Sequence, residues 1–307
     1  MMINDPDYLQ FRDKITLVDD EKIRAFTTHG DFNEIGVELF KEIAFLMLPV
    51  AALYKKDEEG NSIPFDYEQA AVIGNLVRYC KLCNGFLEQF TKKRLETSLI
   101  FFRCLAETYI NLKYFLKFKD QNTIRHYIKN SLRQEKDLLE ILKRNITDKQ
   151  KIEHIEARMI DSINRSFRAS DFEEDEISNS SKWNDKIKAR IKEIIDPDFY
   201  VLIYGNASHS IHGNWQDIIT FHLTKEQDGF LPDTDWTYPT LQIIFSATVL
   251  SCDLLHNYSE EVLPDSENKK KLIASIEDIM TRAFKLDRQH ELFIQRTDKK
   301  DNGNKKE

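Results

Sequence analysis

Three polar side chains in the stretch YGNASHSIHGNW, Tyr204 to Trp215, have a spacing that chemistry can use. Tyr204, Ser208 and His212 recur at every fourth residue. In a helix they would stack along one gently drifting face, with Tyr200 a turn earlier. Local signals frame such a helix from about Pro197 to His212. Asp196 suits the N-cap, Pro197 the first helical position, and Gly213 the left-handed residue after the last turn. His212 would then sit at the negative end of the helix dipole. That position favours imidazolium and suits a general acid or an anion contact near neutral pH. His209 lies off this face, at its periphery. Gly205 costs about 1 kcal/mol of helix propensity, tolerable if another helix or a ligand approaches closely there. A plainer reading is equally open: Tyr204 and Ser208 bond neighbouring carbonyls and His212 simply closes the helix.

A second polar series lies in LETSLIFFRCLAETYINLKYFLKF, Leu95 to Phe118. Its apolar residues cover most of the helical circumference, which predicts a buried helix. Glu96, Arg103, Glu107 and Tyr114 nevertheless fall nearly in line along one face. Buried charges must be paired or serve a site. Arg103 and Glu107 could form an i,i+4 ion pair that fixes helix register, or Arg103 could bind an anion in an interior cleft. Further on, IRHYIKN brings together Arg125, His126 and Lys129. This basic patch could meet phosphates or simply face solvent.

Other chemistries find no support in the sequence. There is no GxxxxGK[ST] or GxGxxG loop after a strand and no HExxH. A Ser208–His212 pair lacks the strand-turn-helix elbow of a serine hydrolase. His209 and His212 have no third ligand at a matching spacing. Cys80 and Cys83 form a CxxC within a helical pattern, without the second half of a zinc site. They read as small packing residues. Neither a metal nor a cofactor is expected.

The elements that must position these residues are helical. In 307 residues there are only 9 Gly and 7 Pro, and periodicity of 3.6 dominates throughout. Helices are predicted over Tyr8–Phe26, Phe32–Lys56 (kinked or broken at Pro49), from Tyr67, Lys92–Phe118, Asn122–Asn145, from Asp148, Pro197–His212, Leu241–Tyr258 and Ser266–Gln295. Residues 166–182 form an acidic, serine-rich loop, and GFLPDTDWTYP reads as irregular. The expected organisation is a single all-α bundle domain over 61–296. A helical extension over 1–60 precedes it and a disordered tail over 297–307 follows. The net charge of −8 offers no global basic footprint for nucleic acid. The N-terminus lacks a signal-peptide layout, and the longest apolar run, IAFLMLPVAALY, is too short to span a bilayer. A cytoplasmic protein with no membrane contact is expected.

Together, FFRCLAETYINLKYFL, YGNASHSIHGNWQD and GFLPD resemble a bacterial all-helical family of unknown function, over roughly Leu76 to Leu255. That family is in turn similar to HEPN domains, helical bundles of toxin and antiphage systems, many of them metal-independent ribonucleases that dimerise around a composite cleft. The resemblance implies a HEPN-like fold, a homodimer, RNA as ligand and a possible partner protein from a defence operon. It implies catalytic roles for Arg103, Glu107, Tyr204, Ser208 and His212; from their own positions in the sequence, His209, Tyr114, Arg125 and His126 are the expected binding residues. HEPN ribonucleases carry Arg-x4–6-His on one helix, whereas Gly205, Asn206 and Ala207 occupy the corresponding positions here. Either Arg103 supplies the charge from another helix, or the chain is a non-catalytic nucleotide-, RNA- or partner-binding module.

Overall fold

A computed structural model describes residues 15–177, 187–195 and 210–304, with side chains to residue 297. Among the described residues there are eleven α-helices and two small hairpins. The helices are α1 (Asp20–Arg24), α2 (His29–Ala51), α3 (Tyr67–Thr91), α4 (Leu95–Phe118), α5 (Gln121–Ser131) and α6 (Arg133–Lys149). They continue with α7 (His154–Ala169), α8 (Ile187–Ile194), α9 (Trp215–Phe221), α10 (Leu241–Val262) and α11 (Glu267–Asn304). Strands β1 (Lys55–Lys56) and β2 (Ser62–Ile63) pair antiparallel, as do β3 (Leu223–Glu226) and β4 (Gly229–Pro232).

The main core lies between α2, α3, α4, α10 and α11, where Phe40, Tyr79, Phe86, Leu105, Ile110, Leu254 and Ile276 are fully buried. Two close crossings are set by glycine. A Cβ on Gly85 would run into the ring of Phe101, with Cδ1 2.8 Å away. One on Gly36 would come within 2.9 Å of both Leu241 and Ile244. Several polar groups in and around the core are matched: Tyr79 and Ser251 share a hydrogen bond of 3.1 Å. Tyr109 donates to Asp253 at 2.7 Å, and Lys113 reaches the same carboxylate at 2.9 Å. Arg282 grips Glu42 with two nitrogens, at 3.0 and 2.8 Å, tying α11 to α2. A second, smaller core of Leu132, Leu139, Leu142, Ile163, Phe167, Phe172 and Ile177 is built by α6, α7 and the turns beside them.

Several expectations need correction. No continuous helix covers Tyr8–Phe26: residues 15–19 are non-helical, and α1 begins only after Asp19, whose side chain caps it. Thr16 N–H is instead held at 2.7 Å by Glu42. Pro49 does not kink a longer helix. It lies in the last turn of α2, which ends at Ala51. The expected Asn122–Asn145 helix breaks at Leu132 into α5 and α6. The acidic loop starts later than expected, because α7 runs to Ala169, and it contains a 3₁₀ turn at Glu174–Glu176. Part of the piece read as irregular is strand β4. Helix α11 runs past Gln295 to Asn304, into the segment expected as a disordered tail. Among the described residues, no helix is long and apolar enough to cross a membrane.

Candidate functional site

Arg103 is buried, and its Nη1 meets Glu107 Oε2 at 2.7 Å. The i,i+4 pair, one of the two readings that the spacing left open, therefore forms. It is asymmetric: the Arg103 side chain is 9% exposed and that of Glu107 is 47% exposed. Burial removes the guanidinium from water while its partner stays solvated, so Glu107 holds the charge from the solvent side.

Glu96, in the first turn of α4 and on the same face, has a different task. Its Oε1 accepts Thr237 N–H at 2.9 Å, and Leu95 N–H donates to Thr237 O at 2.9 Å. Glu96 thus clamps the chain that leaves β4. Its Oε2 is buried without a hydrogen-bond partner.

Toward the C-terminus of α4 the same face meets α8. Tyr114 is half-buried there, and its ring lies 4.5 Å from that of Phe118. Partial burial pushes its phenol above the usual range, Glu193 pushes the same way, and Arg190 opposes both. Lys117 donates to the Glu193 carbonyl. Arg190 is itself buried, 5% exposed. Two buried arginines therefore border one face of α4. Arg103 and Tyr114 are three turns apart, about 16 Å along the axis.

Arg190 was legible in the sequence and missed. In IKARIKEI it takes one position of the i, i+3, i+4, i+7 stripe shared with Ile187, Ile191 and Ile194. A charge in an apolar stripe is the signature of a buried ion.

Residues Ser210 to His212 are helical, and Gly213 follows with φ +53°, the left-handed stop expected from sequence. Asn214 then caps α9, accepting Asp217 N–H at 3.1 Å. His212 is exposed, and no hydrogen bond or ion pair joins it to Arg103. Tyr204, Ser208 and His209, with the expected helix start at Asp196–Pro197, lie outside the described residues. Just downstream, Asp217 is 6% exposed, its Oδ2 is 3.5 Å from His222 Nε2, and its Oδ1 has no hydrogen-bond partner. This carboxylate–histidine pair was also missed, because no helical or strand spacing relates residues that straddle the end of α9.

The basic patch of α5 is engaged in packing. The Arg125 guanidinium lies 4.7 Å from the Phe172 ring centre and Lys129 Nζ 4.8 Å from it. Together they hold the second core against α5 by cation–π contact. His126 is half-buried and contributes to lowering the Asp120 pKa, behind hydrogen bonds from Asn122 and Thr123. Arg125 and His126 therefore do not join Arg103. Cys80 and Cys83 are buried in α3, where burial pushes the Cys80 thiol up to about 12 and that of Cys83 higher still. Both stay protonated at neutral pH, which suits packing and not thiolate chemistry. Among the described residues, no cluster of three or more His, Cys, Asp or Glu could hold a metal ion.

Residues 69–230 match the family of unknown function DUF5677, more than half of the chain. The chain belongs to that family. Its DUF5677 segment runs from the first turn of α3 into β4, and so contains Arg103, Glu107, Tyr114, Arg190 and His212. The family segment does not enclose the main core alone, because α2, α10 and α11 lie outside it. No curated protein and no solved structure matches this DUF5677 chain.

Proposed function

We propose that this DUF5677 chain is a HEPN-like, metal-independent endoribonuclease that works as a homodimer in a toxin or antiphage setting. The observation that carries the reading is the buried arginine Arg103, on a face of α4 that Arg190 also borders farther along. Fixed guanidinium groups with restricted hydration suit a phosphate whose charge grows in a transition state. His212 supplies the proton-transfer group. The ribose 2′-oxygen attacks phosphorus and gives its proton to the imidazole as the 2′-O–P bond forms. The P–O5′ bond breaks, and the departing oxygen takes up a proton. Arg103 stabilises the phosphorane oxygens, Glu107 orients Arg103, and Tyr204 and Ser208 hold the phosphate.

Purified protein incubated with total RNA in EDTA is expected to yield 2′,3′-cyclic phosphate and 5′-hydroxyl ends. His212→Ala is expected to abolish them, and Arg103→Lys to slow cleavage by about a hundredfold or more, as loss of a preorganised charge does. Undiminished cleavage by His212→Ala would sink the assignment.

One observation favours a second reading. Glu107 already neutralises Arg103 at 2.7 Å, as in a helix held in register without catalysis. The chain would then be a non-catalytic binding module for RNA, a nucleotide or a partner protein. Saturable RNA binding with intact strands after prolonged incubation would select it.

A further inference from the structure

Beyond the DUF5677 segment, the chain from β4 to α10 displays Trp236 and Tyr238 with a regularity that loops rarely have. Along Trp236, Thr237, Tyr238 and Pro239 the residues are exposed, half-buried, exposed and buried. This is the alternation of an extended chain, although residues 236–240 belong to no strand. Thr237 is pinned to α4 through both backbone groups, by Glu96 Oε1 and by Leu95 N–H, each at 2.9 Å. Asn33 Nδ2 donates to the Pro239 carbonyl at 2.8 Å. The backbone is held on both sides, yet Trp236 remains 48% and Tyr238 67% exposed. In an extended chain, alternate residues lie about 7 Å apart and share a side.

Each ring has its own cation. The Arg94 guanidinium lies 5.0 Å from the Trp236 ring centre, and Lys93 Nζ lies 5.2 Å from that of Tyr238. Both come from TKKRLE, the turn between α3 and α4, where Lys93 takes a left-handed φ of +59°. Lys92 is adjacent but is paired with Glu88 at 2.5 Å. Asp233 and Asp235 precede the strip, and Asp235 N–H bonds back to Asp233 at 3.0 Å.

We infer that Trp236 and Tyr238, with Arg94 and Lys93, form a binding platform for single-stranded RNA. The inference rests on the ribonuclease reading above only in taking RNA as the ligand. Exposed rings held on a rigid backbone stack unpaired bases, and the cations beside them meet the linking phosphates. An apolar protein partner would have to desolvate both cations, which is costly without matching acids. The platform is placed to feed the candidate site. Glu96, which clamps the strip, shares a face of α4 with Arg103, two turns away or about 10 Å along the axis.

The test uses the full chain and a fluorescein-labelled, 2′-O-methyl oligouridylate of about a dozen nucleotides, read by anisotropy at low salt. Lacking a free 2′-hydroxyl, this probe cannot be cleaved by the proposed chemistry, so it reads binding alone. Trp236→Ala with Tyr238→Ala is expected to weaken binding by about tenfold or more, as loss of base stacking does. Trp236→Phe with Tyr238→Phe is expected to stay near wild type. Lys93→Ala with Arg94→Ala is expected to weaken binding and flatten its salt dependence. That last pair decides the matter if the double alanine ring variant misfolds. No saturable binding by wild type, or wild-type affinity in the alanine variants, would overturn the platform. Probe binding that needs the rings, without cleavage of natural RNA, keeps the platform and removes the nuclease. Cleavage with ring-independent binding does the reverse.

Discussion

Among single residues, His290 makes a prediction independent of RNA. It is 1% exposed, with Nε2 2.8 Å from His29 Nδ1 and Nδ1 3.3 Å from Gln242 Nε2. These distances fit a neutral chain of bonds: Gln242 donates to His290, which donates to His29. Burial lowers the His290 pKa, as does nearby His29, while Glu291 pulls the other way. A histidine with a depressed folded pKa stabilises fully above its unfolded value of about 6.5. Below that, the unfolded chain takes up a proton that the folded chain resists. The midpoint of thermal unfolding is therefore expected to fall as pH drops from about 7.5 to about 5.5. His290→Phe should flatten part of that slope. An unchanged slope in the variant would assign the pH effect to other groups.

Between elements, the closest constraint is the α3–α4 crossing. Gly85 leaves no room for a Cβ against Phe101. Gly85→Ala gains helix propensity but must displace a ring, and overpacking of this kind costs about 1–3 kcal/mol. Urea unfolding should show that loss, and adding Phe101→Leu should recover part of it. The crossing matters for function because it fixes the α3–α4 turn, and with it Lys93 and Arg94. A Gly85→Ala protein that unfolds at the wild-type midpoint would contradict the close approach.

Across the whole molecule, stability is unevenly distributed. The second core of α6, α7 and the adjoining turns is separate from the main one. It meets the rest chiefly through α5 and the Phe172 cation–π contacts. Small satellite cores open more readily than large ones. Amides of Arg133–Ala169 are expected to exchange with deuterium faster than those of α3, α4 and α10. Leu139→Ala should speed exchange in that arm while leaving the main core nearly unchanged. Uniform protection across both cores would refute this division.

By itself the sequence determined much of the helical architecture, because apolar periodicity and capping residues act locally. Asp66 caps α3 and Asp120 caps α5, and the i,i+4 spacing offered the Arg103–Glu107 pair as one of two readings. The stop at Gly213 was legible for the same reason. Contacts between residues far apart in the chain were not legible. Only the tertiary structure joined Glu96 to Thr237, His29 to His290 and Arg125 to Phe172. Spacing rules relate neighbours on one element, whereas these pairs depend on how elements cross. That is why the basic patch of α5, open to phosphates or to solvent on sequence, became packing, while an irregular-looking WTYP became a clamped, ring-bearing strip.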